Sequence, residues 1–391
     1  MGLSRRINSF FDDRFDTETA RRFIDKQAHK RLPPHISWFH VFGSLALLLF
    51  VSQTITGILL LIYYRPTPEA AYSSIQYITT EVHFGWLYRQ IHAWGATLMI
   101  LVVVLHMVRT YFSGAYKKPR ELTWVTGVLI FILTIIFGFT GYLLPWNQIA
   151  FWATTIGTES AGKVPFIGEW LLYFLRGGEV VTGETLSRFF VVHVIILPWI
   201  LTGLIAVHLV LMRLSNLATL EPVGEEKPIP PGHGIPFFPV HVAKEAVVAI
   251  LLLAGLVTLS ILSPWEIGEP ANPLVTPAHI KPEWYFLPSY QLLKYFEGPY
   301  GAVVGIVACS LPFGLLLFWP FLDRGKERHP RKRPWAVGIG LFGLMAALFL
   351  GILGHFSGTD VTLLGRRYHI DLLGRPERLM DEPTSHNPVE H

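Results

Sequence analysis

Residues 89–109 read Arg89-Gln90-Ile91-His92-Ala93-Trp94-Gly95-Ala96-Thr97-Leu98-Met99-Ile100-Leu101-Val102-Val103-Val104-Leu105-His106-Met107-Val108-Arg109. Nothing between the two arginines carries a fixed charge, and the run is about as long as a helix needs to cross a bilayer, roughly 20 residues. At ~100° per residue, fourteen positions return a helix to within about 40° of the same face, and at ~1.5 Å of rise they climb about 21 Å. His92 and His106 therefore share one face, one near each membrane surface. Residues 189–212 repeat the pattern with His193 and His208, fifteen apart, which overshoots by about 60°. Intramembrane histidines are costly and are functional candidates by default. A single one also fits a hydrogen-bonded packing residue; two matched pairs on two helices point to a shared task.

The rest of the chain has the same character. It has 391 residues, of which 51% are hydrophobic and 15% charged; soluble domains carry about 25% charged residues. That deficit excludes a soluble enzyme and a disordered chain. Seven stretches lack Asp, Glu, Lys and Arg: 37–63, 90–108, 122–158, 189–212, 246–265, 298–322 and 334–359. They predict an all-α polytopic membrane protein with spans at 37–63, 90–111, 123–144, 189–212, 242–262, 301–321 and 334–356. Pro145 stops the third span. Residues 146–188 and 263–300 become long aromatic-rich loops, and loops of that length are usually functional. The linker 215–240 separates four spans from three. Residues 1–35 read as an amphipathic helix on the membrane surface, with Ile7, Phe10, Phe11 and Phe15 at helical spacing. The tail 357–391 has no functional reading. Cys309 is the only cysteine, too few for an internal disulfide or a cysteine-ligated cluster.

Basic residues orient the spans. The N-terminus and the second, fourth and sixth connections hold 20 Lys and Arg, whereas the first, third and fifth hold seven. By the positive-inside rule the N-terminus is cytoplasmic. We call that surface the n-side and the opposite one the p-side. Both long loops then lie on the p-side, with His92 and His193 near them; His106 and His208 lie nearer the n-side.

Two imidazoles without a thiolate or carboxylate suit a six-coordinate haem iron. Zinc, the competing metal, normally takes four ligands. Gly43 and Gly57 in the first span are also fourteen apart, as are Gly127 and Gly141 in the third. Glycine lets a flat macrocycle approach the backbone, although small residues also pack membrane helices. Arg89 and Arg109 flank the second span, where they either neutralise haem propionates or snorkel to the interface.

With these features the sequence resembles cytochrome b of the bc1 and b6f quinol-oxidising complexes, over about residues 20–356. The residues that carry the resemblance are the two histidine pairs, the paired glycines, Gly141-Tyr142-Leu143-Leu144-Pro145-Trp146, and Pro282-Glu283-Trp284-Tyr285. The resemblance implies an N-terminal four-helix bundle over 36–214, holding two non-covalent b-type haems, followed by a three-helix domain over 241–356. His92 and His193 would ligate a low-potential haem, and His106 and His208 a high-potential one. Quinol would be oxidised on the p-side, with one electron passing to a Rieske iron–sulfur protein and then a cytochrome c. The other would cross both haems to a quinone on the n-side, with proton translocation. A homodimer in lipid, in a bacterial cytoplasmic membrane, and no nucleic-acid partner complete that expectation.

Individual residues fit these roles and plainer ones. Glu283 sits in an aromatic segment where desolvation would ready a carboxyl to accept a proton, or it is a solvated loop residue. Tyr285 would hydrogen-bond a quinone oxygen or anchor at the interface. Arg213, Lys244, Glu245 and Asp25 fall in regions the family uses for the n-side quinone, or are ordinary helix-end charges. The fifteen-residue spacing in the fourth span and Lys118-Pro119-Arg120-Glu121-Leu122-Thr123-Trp124 resemble the b6f type. Seven spans fit a b6-like half fused to a subunit-IV-like half. That type attaches an extra c-type haem through a cysteine near the first span, where this chain has Val41, so no covalent extra haem is expected. Two rival functions share the histidine pairs: a di-haem anchor of a dehydrogenase or hydrogenase, and a transporter with a histidine proton relay.

Overall fold

The computed structural model describes residues 3–379 except 231, 278, 279, 299 and 365. The surface segment expected as one helix is two, α1 (Leu3–Asp12) and α2 (Thr17–Ala28). The chain breaks between them where the Asp16 carboxylate accepts the Thr19 N–H at 3.0 Å, an acidic cap on a new helix start. Phe10, Phe11 and Phe15 stay exposed. Strand β1 (Arg31–Leu32) then pairs antiparallel with β2 (Ile235–Pro236), tying the N-terminal segment to the linker.

Among the described residues, seven helices are long and apolar enough to cross a membrane: Trp38–Leu61, Gly85–Phe112, Glu121–Tyr142, Gly183–Ser215, Phe237–Leu262, Gly301–Leu322 and Pro334–Phe356. In chain order the helices are α3 (Phe42–Leu61), preceded by a 3-10 turn at Trp38–Val41, α4 (Ala71–Thr80), α5 (Gly85–Phe112) and α6 (Glu121–Tyr142). Helices α7 (Gln148–Gly162) and α8 (Gly168–Arg176) fill the first long loop. Helices α9 (Gly183–Val191) and α10 (Leu197–Ser215) form one span, joined by a π turn at Val192–Ile196. The C-terminal half contributes α11 (Val242–Leu262), α12 (Leu287–Leu293), α13 (Gly301–Leu322) and α14 (Pro334–Phe356). The second span starts at Gly85, before Arg89, because that guanidinium bonds a backbone carbonyl, Trp265 O at 2.6 Å. A charge so satisfied need not end a helix.

Helix α3 packs on α5, α6 on α10, and α5 on α6, which makes the expected four-helix unit. Helix α11 covers α5 and α3, while α13 covers α6. Val41, Leu45, Leu49, Met99, Val102, Val103 and Leu256 form the core where the two halves meet. Burying side chains of that size stabilises by about 1.5–3 kcal/mol each. The two long loops are stitched together on the p-side: Asn147 Nδ2 donates to Ile267 O at 2.6 Å, and the Asn272 N–H donates to Gln148 Oε1 at 2.6 Å.

The tail is not featureless. Strands β3 (Thr359–Leu363), β4 (Arg366–Ile370) and β5 (Pro376–Arg378) form an antiparallel sheet. Its turn is held to α12 by Gln291 Nε2 donating to Leu372 O at 3.3 Å, and just beyond α12 Tyr295 Oη donates to Leu373 O at 2.9 Å. The last part of the expected tail, 380–391, lies outside the described residues, as do residues 1 and 2 of the surface segment.

Candidate haem sites and quinol site

Helix α5 and the π turn bring the His92 and His193 rings opposite one another, with centroids 6.4 Å apart and planes at 72°. A metal-bound imidazole nitrogen lies about 2 Å from its metal and about 1 Å from its own ring centre, so two rings across one metal stand about 6 Å apart. The p-side pair meets that spacing. His106 and His208 lie farther along α5 and α10, close enough to interact electrostatically.

The four glycines are the seats of the four rings. A Cβ on Gly43 would stand 3.2 Å from His106 Cε1, on Gly57 3.4 Å from His92, on Gly127 3.3 Å from His208, and on Gly141 2.5 Å from His193. The glycines therefore admit the imidazoles themselves against the backbone. Sequence spacing alone does not show this pairing of each glycine with an imidazole. It also misses three threonines, each immediately before a glycine: Thr56, Thr126 and Thr140 bond Nδ1 of His92, His208 and His193.

These donors fit haem. Each site offers two imidazoles, and among the described residues no group of three or more His, Cys, Asp or Glu is placed to hold a metal ion, so a tetrahedral zinc site lacks donors. Beside the n-side pair, Arg109 Nε is buried without a hydrogen-bond partner among the described residues, as a propionate would require. Arg89 is differently placed. Its bond to Trp265 O, together with Gln90 Nε2 to the same oxygen at 3.0 Å and the Trp265 N–H to Gln90 Oε1 at 2.8 Å, clamps the second long loop.

On the p-side, Pro282, Glu283, Trp284 and Tyr285 enter from that loop. The Tyr285 ring reaches α6, where a Cβ on Gly138 would stand 2.6 Å from its Oη. Its ring packs on Phe286 at 4.7 Å and on Trp284 at 5.7 Å. Burial raises the Glu283 carboxyl above its ordinary pKa. Burial, then Glu283 and Tyr142, raise the Tyr285 hydroxyl. The pocket thus gathers one carboxyl and two phenols in an aromatic wall.

The n-side candidates divide. Glu245 Oε1 pairs with His241 Nε2 at 3.3 Å, and Lys244 Nζ stands 5.5 Å above the Trp38 ring. Arg213 sits beside Lys30. Asp25 pairs with His29 at 3.1 Å on the exposed face of α2. Three histidines were not singled out by sequence. His35 and His40 stack edge-on at 5.6 Å, and among the described residues His40 Nε2 and His241 Nδ1 are buried without hydrogen-bond partners. Burial, then Arg109, lowers the His35 pKa. Only contact across the fold reveals them, because none lies at helical spacing from the four paired histidines.

Fold and site together define a membrane-embedded cytochrome. A family model described as cytochrome b/b6/petB matches residues 27–216, and one described as cytochrome b(C-terminal)/b6/petD matches 270–370. The cytochrome bc complex cytochrome b subunit of Chlorobaculum thiosulfatiphilum is 42% identical, over 88% of this chain and 79% of that protein. Cytochrome b6 of a Synechococcus species is 40% identical over 56% of this chain and 99% of its own. A solved structure described as a hyperthermophilic respiratory Complex III superposes with a TM-score of 0.81 at 34% identity, covering 90% of this chain and 92% of that one. The chain belongs to the cytochrome b family, as a b6-like half fused to a subunit-IV-like half, and is the cytochrome b of a bc-type, Complex III-like membrane complex.

Proposed function

We propose that the chain oxidises quinol at the p-side pocket and divides its two electrons. One passes to a Rieske iron–sulfur protein and on to a cytochrome c. The other crosses the membrane through the His92/His193 and His106/His208 sites to a quinone on the n-side. Bound there, two non-covalent b haems supply one-electron carriers within the bilayer. Glu283 accepts a quinol proton, and Tyr285 positions the quinol ring, with Pro282 and Trp284 shaping the loop. Both quinol protons leave on the p-side. On the n-side, His40, His241 and Glu245 would bind quinone and admit protons, with Lys244 and Arg213 supplying positive charge nearby.

The observation that carries this reading is the pairing of four histidines on facing helices, each ring seated on its own glycine. A pyridine-haemochrome assay on purified protein tests it. Two b haems per chain are expected, with none retained covalently after denaturation. A folded, haem-free protein would instead fit a histidine-relay transporter. Quinol-dependent reduction of cytochrome c by the assembled complex separates this reading from a di-haem anchor.

A further inference from the structure

Three of the four histidine rings are held by hydroxyls, and the fourth is not. Thr56 Oγ1 lies 2.9 Å from His92 Nδ1, Thr140 Oγ1 3.1 Å from His193 Nδ1, and Thr126 Oγ1 3.0 Å from His208 Nδ1. Each hydroxyl proton is already committed to its own helix: Thr56 donates to Ser52 O at 2.7 Å, Thr140 to Ile136 O at 3.0 Å, and Thr126 to Leu122 O at 3.0 Å. The oxygen can then only accept from the ring, so Nδ1 carries the proton and Nε2 presents its lone pair. The carbonyls of Gln53, Phe137 and Thr123 face the same three rings.

His106 differs. It rests on Gly43, and the residue before that glycine is Phe42, which has no hydroxyl. Ser44, on the other side, donates to Val41 O at 2.8 Å. Among the described residues no hydrogen bond reaches the His106 ring.

We infer that Thr56, Thr140 and Thr126 are positioning residues that set ligand strength. Their distribution, two on the p-side pair and one on the n-side pair, holds the p-side haem at the lower potential. This rests on the di-haem reading above. A ring that donates from Nδ1 becomes a more basic Nε2 ligand, and a stronger donor favours ferric over ferrous iron. Two anchored ligands stabilise the oxidised state more than one anchored and one unanchored. An electron entering on the p-side then moves downhill toward the n-side.

Redox titration of the two α-bands in membranes carrying the full complex tests this. Thr56→Val and Thr140→Val should each move the p-side haem to a more positive potential, and Thr56→Ser and Thr140→Ser should restore it. Phe42→Thr, which supplies the missing hydroxyl, should move the n-side haem to a more negative potential. Thr134→Val is the control, because Thr134 bonds Ile130 O on the same helix and touches no histidine ring; it should shift neither. Unshifted potentials in the valine variants and in Phe42→Thr, with both haems present, would overturn the inference while leaving the di-haem function intact. A p-side haem lost from the valine variants but kept in the serine ones supports the inference; loss from both overturns it. A wild-type chain without haem defeats the functional reading instead.

Discussion

Glu283 shows what a residue gains from its surroundings. Its segment, Pro282 to Tyr285, is readable in the sequence, but its chemistry comes from burial, which raises its carboxyl above the ordinary value of 4.5. A raised pKa keeps the acid protonated to higher pH, so the basic form that accepts a quinol proton grows in as pH rises through it. Quinol oxidation by the complex should therefore show an acid limb that rises with pH. Glu283→Gln should remove that limb and slow the reaction by about 10²-fold or more, the scale of a lost general base, while both haem spectra persist. Steady-state cytochrome c reduction across pH reads both; an unchanged limb in the variant takes Glu283 out of the mechanism. The neighbour that completes the pocket, Gly138 against Tyr285, was not legible, because sequence spacing does not say which face of α6 meets the second long loop. The histidines His35, His40 and His241 were hidden for the same reason.

Among the elements, the fourth span explains an oddity of spacing. His193 and His208 are fifteen apart, whereas His92 and His106 are fourteen apart. The π turn at Val192–Ile196, closed by Leu197 N–H on Val192 O, absorbs one residue. The remaining register matches that of α5, so both rings of the span face their partners. Pro198 lies just beyond, where its missing N–H suits a widened turn. Helix periodicity alone could not supply this turn, since it assumes a regular rise, yet the fourteen-residue repeat of the glycines was legible, and the four rings lie against those glycines. The seats are not equally tight, which ranks alanine substitutions. A Cβ on Gly141 would meet His193 at 2.5 Å, on Gly43 and Gly127 their rings at 3.2 and 3.3 Å, and on Gly57 His92 at an ordinary 3.4 Å. Gly141→Ala should lose the p-side haem, Gly43→Ala and Gly127→Ala should weaken the n-side haem, and Gly57→Ala should retain both. Haem content per chain from reduced spectra checks the order. Equal retention in Gly141→Ala and Gly57→Ala would mean that the rings are not seated as described.

At the scale of the whole molecule, charges on the N-terminal side of the spans bind the two halves together. The sequence showed them as an excess of Lys and Arg; their pairing was illegible because the partners are about 200 residues apart. Asp323, just past α13, accepts Lys117 Nζ at 2.7 Å, Tyr116 Oη at 2.5 Å and Arg333 NH1 at 3.1 Å. Lys117 and Arg333 are almost fully buried. Arg328, completely buried, pairs with Glu226 Oε1 at 2.6 Å and so holds the linker. Removing one member of a buried ion cluster leaves the others desolvated and unpaired, which costs on the order of 3–5 kcal/mol. Asp323→Ala should therefore lower the thermal unfolding midpoint of the detergent-solubilised protein by several degrees at neutral pH. Burial alone would raise the Asp323 pKa, but the hydrogen bonds from Lys117, Tyr116 and Arg333 outweigh it and hold the carboxyl below its ordinary 3.8. A depressed folded pKa contributes stability that is complete above the unfolded value, about 3.9, and is lost as pH falls through the folded one. The gap between wild type and Asp323→Ala should thus be constant from pH 5 upward and shrink below about pH 4. Circular dichroism melts across that range measure it, and a gap that stays constant into acid would show that the carboxylate charge is not what ties the halves together.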